Sequence, residues 1–104
     1  MARTAFLLLV LVAHSIHHLA AKVIRVPSEI TGIPAAIEAA SSHDTVLIER
    51  GTYEVNLVLE KPLVISSGYI FTGSDTDVAE TILDGQTDAV FTINGPAADT
   101  SVII

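Results

Sequence analysis

Four β-prone runs, Thr45-Val46-Leu47-Ile48, Asn56-Leu57-Val58-Leu59-Glu60, Pro62-Leu63-Val64-Ile65-Ser66 and Glu80-Thr81-Ile82-Leu83-Asp84-Gly85, follow one another with no helical periodicity between them. Thr45–Ile48, Leu63–Ile65 and Thr81–Leu83 recur at roughly 18 residues, and Ser101–Ile104 opens a further run about 20 residues later, near the 20 to 50 residue spacing of solenoids and arrays. Val46 and Ile48 share one face of their run. Val55, Leu57 and Leu59 share another while Asn56 faces away, and Val58 softens the alternation as in a strand with both faces partly covered. Gly51, Gly68, Gly73, Gly85 and the Gly95-Pro96 pair fall between the runs, where turns need residues tolerant of positive φ or fixed near φ −65°. The pattern predicts an all-β chain that opens a stacked β coil.

Outward from this stretch toward the N-terminus, Ile33, Ala36, Ile37 and Ala40 recur at i, i+3, i+4 and i+7, which predicts one amphipathic helix over 33–41. Pro34 fits its first turn, where a missing amide proton costs little, with Thr31 or Gly32 as N-cap. Lys22–Val26 alternates as a short strand that Pro27 ends. Strand, helix and strand in this order also fit the opening of a βαβ unit. A doubly wound sheet needs further crossover helices, and no window between Asp44 and Ile104 sustains helical periodicity. A β-sandwich needs tight hairpins, and Asn-Gly occurs only at Asn94-Gly95, where Pro96 follows.

Residues 1–21 read as a secretory signal peptide rather than as fold. Arg3 supplies a positive start, Ala5–Ala13 an apolar core, and Leu19-Ala20-Ala21 a small-residue end, with cleavage expected after Ala20 or Ala21. His14, His17 and His18 end the apolar run well short of the about 20 residues that a membrane span needs. Residues 22–104 then hold all 12 acidic residues against four bases (Lys22, Arg25, Arg50 and Lys61), a net charge of −8. Scattered single bases do not make a phosphate-neutralising surface, so a nucleic-acid partner is excluded. The absence of cysteine rules out disulfides, a thiol nucleophile and a thiolate metal site, and leaves stability to packing.

The ordered series Ile33-Pro34-Ala35-Ala36-Ile37-Glu38-Ala39-Ala40, Asp44-Thr45-Val46-Leu47-Ile48, Gly51-Thr52-Tyr53-Glu54 with Asn56-Leu57, Lys61-Pro62-Leu63 and Thr81-Ile82-Leu83-Asp84-Gly85 resembles the N-terminal coil of secreted right-handed parallel β-helix proteins of the pectin-lyase-like superfamily. The resemblance implies a solenoid whose open end is plugged by one short capping helix, a strand ending in the Gly-Thr-Tyr turn, and further strands stacking coil by coil over residues 22–104. It implies an extracellular or cell-surface location and extracellular polysaccharide as the partner. The superfamily holds lyases, hydrolases and esterases as well as adhesins, so fold alone does not decide between a polysaccharide-acting enzyme and a non-catalytic solenoid. The chain departs from the family in two ways. His43 stands where glycine often precedes the aspartate, so the turn must close through Ser42 or His43 at a modest cost in stability. The family stacks many more coils, so the resemblance leads to the expectation that this chain is a fragment or a truncated reading frame, with the family's catalytic groups on middle coils beyond Ile104.

Each candidate residue carries a plain alternative. His14, His17 and His18 have ligand-like spacing but lie in the segment expected to be removed. His43 sits at a helix end, where a structural role outweighs acid–base work. Asp75, Asp77, Glu80, Asp84 and Asp88 crowd into fourteen positions, and the resemblance makes calcium a possible cofactor there, yet they lack the spacing of a calcium loop and Ser74-Asp75-Thr76-Asp77 also reads as a solvated turn. Tyr53 and Tyr69 offer faces for sugar stacking, but Tyr53 fits better packed over its turn with the hydroxyl hydrogen-bonded. Arg50 and Lys61 suit the base of a β-elimination lyase, but each precedes a turn and reads rather as a solvated flank. No catalytic or cofactor-binding residue is assigned, and the metal is left open.

Overall fold

The computed structural model describes residues 21–104, so the signal peptide and His14, His17 and His18 lie outside the described residues. Eight short strands carry the chain: β1 (Val23–Val26), β2 (Thr45–Ile48), β3 (Gly51–Glu54), β4 (Leu57–Leu59), β5 (Val64–Ser67), β6 (Thr81–Asp84), β7 (Phe91–Ile93) and β8 (Ser101–Ile103). Every strand pairing is parallel, within three small sheets ordered β1-β2-β5-β8, β3-β6 and β4-β7. The antiparallel hairpins of a sandwich are therefore absent among the described residues. β1 and β2 do pair in parallel across a helix, as a βαβ unit would, but the later strands divide among three sheets instead of extending one.

Helix α1 (Ile33–Ala39) forms where the apolar stripe predicts it, with Gly32 as N-cap and Pro34 in the first turn. It stops before residue 41 because Ala40 is already extended, its amide still donating to the Ala36 and Ile37 carbonyls. Ile33, Ala36, Ile37 and Ala40 are buried in one core with Ile24 and Val26 of β1, Val46 and Ile48 of β2, Leu57 and Leu59 of β4, and Leu63 and Ile65. Burying side chains of this size stabilises by about 1.5–3 kcal/mol each before ordering costs. The outer side of β4 is open, contrary to the expectation for Val58, which is 56% exposed.

Three expectations need correction. The described residues are mixed rather than all-β, at about 25% helix and 35% strand. The additional helices are α2 (Tyr69–Thr72), α3 (Asp75–Ala79) and a 3-10 turn at Gly95–Asp99. Four or five residues are too few to show a 3.6-residue period, so these turns are set by their ends: Gly73 closes α2 at φ 65°, and the Ser74 hydroxyl accepts from the Thr76 amide to open α3. Second, Gly51-Thr52-Tyr53 is not a turn but most of strand β3. Third, Thr81–Leu83 does not stack over Leu63–Ile65. It lies on β3, with Thr52 opposite Ile82 and Tyr53 opposite Leu83. The segment carrying α2 and α3 lengthens the return path, so the first sheet repeats after 19 residues from Thr45 to Val64 and after 37 from Val64 to Ser101. Among the described residues no helix is long and apolar enough to cross a membrane.

Candidate functional site

The densest set of charged side chains is built where β2 passes into β3. Arg50 precedes β3 and reaches across to α3: its Nε donates to Asp77 Oδ1 at 2.7 Å and its Nη1 to Glu80 Oε2 at 3.1 Å. The Thr72 hydroxyl, at the end of α2, donates to the other Asp77 oxygen, and the Thr81 hydroxyl donates to the Asp77 carbonyl at 2.6 Å. The Asp77 carboxylate lies directly over Gly68, where an added Cβ would sit 3.2 Å from its Cγ. The hydrogen bond from Thr72, that from Arg50 and the Arg50 charge outweigh burial and hold the Asp77 carboxyl below the usual carboxylate range; Asp77 in turn pushes Arg50 up. Arg50 is half exposed, so the cluster borders solvent while Asp77 itself is covered. Chemically this is a clamp holding α2 and α3 against the start of β3. An arginine committed to two carboxylates is unavailable as a proton acceptor; Arg50 keeps the exposure expected of a solvated flank but is tied to α3.

A second carboxylate, Asp44, organises the junction between α1 and the first sheet. Its Oδ1 accepts from the Lys22 amide and its Oδ2 from the Ser41 amide, both at 2.9 Å. Burial pushes Asp44 up, but these two amides, with the charges of Lys22 and Lys61, prevail and leave it below its ordinary value. His43 beside it adopts φ 72° and its amide donates to the Pro62 carbonyl at 2.7 Å. The turn closes through His43, one of the two residues expected to supply it.

The remaining candidates are dispersed. Asp75 lies in the first turn of α3, Asp84 accepts from the Gln86 amide at 2.8 Å, and Asp88 is exposed in the following turn. Among the described residues no three His, Asp or Glu side chains come together to hold a metal ion. Tyr53 packs as expected, its hydroxyl donating to the Glu49 carbonyl at 2.8 Å and its ring against Gly51, with burial raising its pKa and the Glu49 charge adding to the rise. Tyr69 is partly exposed on α2. Lys61 donates through Nζ to the Glu38 and Ala40 carbonyls and so caps the C-terminal end of α1 rather than standing free.

Between α1 and β4 runs a cleft of about 450 Å³, walled by Pro34, Ile37, Leu57 and Val58 and rimmed by Glu38, Glu60 and Lys61. Asn56, also in its lining, spends its amide on the Gly85 and Ala89 carbonyls, each at 3.0 Å, and ties one turn of chain to the next. Sequence reasoning missed the structural roles of Asn56 and Asp44. The available signal was that each is a lone amide or carboxylate directly before an apolar run, where such side chains satisfy turn backbone. Comparison with family models, with curated proteins and with solved structures finds no match for this chain.

Proposed function

We propose that the chain is the capped start of an exported right-handed parallel β-helix of the pectin-lyase-like kind, which closes the end of a solenoid and presents its outer surface to extracellular polysaccharide. One observation carries this reading: β2, β3 and β4 are followed by β5, β6 and β7 in the same order, each later strand lying parallel on its equivalent, and β8 then lies on β5. Such an order follows from a chain winding repeatedly about one interior. Parallel crossovers are right-handed in about 98% of cases, which gives the hand of the winding. The charged groups brought together here clamp the fold, so turnover is assigned to neither Arg50 nor Lys61.

A second reading, a non-catalytic cell-surface solenoid serving as adhesin or spacer, is favoured by the dispersal of Asp75, Asp84 and Asp88. Expression of the full sequence in a secreting host, followed by N-terminal sequencing and electrophoresis through gels containing polygalacturonate or neutral glucans, tests both. A product beginning at Ala21 or Lys22 and slowed by one of these polymers is expected, with no unsaturated-product absorbance in polygalacturonate and calcium. Export without retardation favours the spacer; retention of Met1 inside the cell, or measurable lyase turnover, overturns the proposal.

A further inference from the structure

One wall of the 450 Å³ cleft is α1 and the other is the edge of a strand, β4. β4 pairs only with β7: the Leu57 amide donates to the Val90 carbonyl at 2.7 Å, and the Leu59 carbonyl accepts from the Asn94 amide at 2.9 Å. A strand in a parallel ladder turns alternate residues to alternate sides, so the N–H and C=O of Val58 point away from β7 and into the cleft. Among the described residues neither group has a hydrogen-bond partner. The facing wall belongs to the segment that joins β1 to β2, so the chain itself bounds this edge on both sides.

The side chains around these two backbone groups are apolar at the centre and acidic at the rim. Ile37 and Leu57, both buried, make the floor. Glu38 stands on the α1 wall and Glu60 at the end of β4, and neither carboxylate makes an ion pair or a hydrogen bond among the described residues. Lys61, the base in the lining, spends its ammonium on the Glu38 and Ala40 carbonyls. Two carboxylates thus face one committed cation. A second copy of this chain is a poor occupant, because residues 22–104 carry a net charge of −8 and three of their four bases are engaged: Arg25 with Glu29, Arg50 with Asp77 and Glu80, and Lys61 at α1.

We propose that the cleft binds an extended basic segment of a partner protein as an added strand. The segment pairs with the N–H and C=O of Val58, lays an apolar side chain over Ile37 and Leu57, and sets lysine or arginine against Glu38 and Glu60. An unpaired strand edge supplies affinity through the main chain, and the two carboxylates select the charge of what pairs with it. The cleft volume falls within the roughly 300–1,000 Å³ of ligand-binding clefts. The pairing of β4 and the position of α1 carry this inference, which stands apart from the polysaccharide reading.

Its test is the fluorescence anisotropy of a labelled, end-blocked peptide, Lys-Val-Lys-Val-Lys-Val, titrated with the exported chain at low salt. Saturable binding is expected, weakened by added salt and lost when glutamate replaces lysine in the peptide. Glu38→Gln together with Glu60→Gln is expected to weaken binding about fivefold, with an unchanged melting temperature because neither side chain bonds within the fold. N-methylation of alternate peptide amides separates strand pairing from charge alone. A strand turns only one alternate set toward β4, so methylating that set abolishes binding and methylating the other leaves it intact. No binding by wild type up to millimolar peptide overturns the proposal, as does binding that the double variant leaves unchanged. Equal behaviour of the two methylated peptides overturns it too, and so does equally strong competition by n-butylamine, which would make the cleft a site for a simple cation.

Discussion

At the scale of single residues, two aspartates explain how a chain without disulfides holds its turns. Asp44 and Asp77 each accept hydrogen bonds from groups distant in sequence, and both are held below the ordinary carboxylate value of 3.8. A carboxylate with a lowered folded-state pKa binds protons more weakly folded than unfolded. Its contribution is therefore fully present above the unfolded value and is lost as pH falls from near 3.8 through the lowered folded value. Asp77→Asn keeps the shape but removes the charge that Arg50 and Thr72 address. The variant is expected to melt at a lower temperature than wild type at pH 7 and to lose less on acidification, so that the gap between the two narrows as pH falls below 3.8. Thermal melts followed by circular dichroism at pH 7, 5 and 3 read this. A constant gap between the curves would show that the carboxylate charge is irrelevant.

At the scale of elements, the join between α1 and β2 shows what was legible. The helix stripe at Ile33, Ala36, Ile37 and Ala40 and the inward pairs Val46–Ile48 and Leu57–Leu59 follow from side-chain type and spacing, and both are found; that the turn before Asp44 closes without glycine is raised by the family resemblance, and it closes through His43. His43 carries φ 72°. Left-handed backbone costs an L-residue roughly 1–2 kcal/mol, partly offset because glycine loses more freedom on folding. His43 is exposed and its amide, not its ring, makes the bond to Pro62, so His43→Gly is expected to raise stability by about 0.5–1 kcal/mol. Urea unfolding checks this, and a loss of stability would mean that the imidazole contributes something its position does not show. By contrast, α2, α3 and the Arg50 clamp were not legible. A four-residue helix has no period to detect, and an ion pair between residues 50 and 77 depends on a fold-back that neither segment encodes locally. The placement of Thr81–Asp84 on β3 is hidden for the same cause: regular spacing in sequence implies regular stacking, and the inserted helices move the strand to another sheet.

At the scale of the whole molecule, the fold depends on strands far apart in sequence lying in one parallel register, and that can be tested without any ligand. Val58 on β4 and Thr92 on β7 are paired, and both are exposed on the outer face, so replacing them disturbs no buried contact. Parallel neighbours lie about 4.8 Å apart, inside the 4.4–6.8 Å range of Cα separations that a disulfide spans. The chain has no cysteine of its own, so Val58→Cys with Thr92→Cys yields a single possible intramolecular bridge. Mild oxidation is expected to close it quickly, seen as faster migration on a non-reducing gel. Closing a loop of this length should stabilise the protein by up to about 4 kcal/mol. The pair Val58→Cys with Ile82→Cys, also exposed but on different sheets, should oxidise slowly and stabilise little. If β6 rather than β7 were the neighbour of β4, the two pairs would exchange behaviour. Register, rather than strand content, is what separates a wound coil from every other arrangement of the same eight short strands.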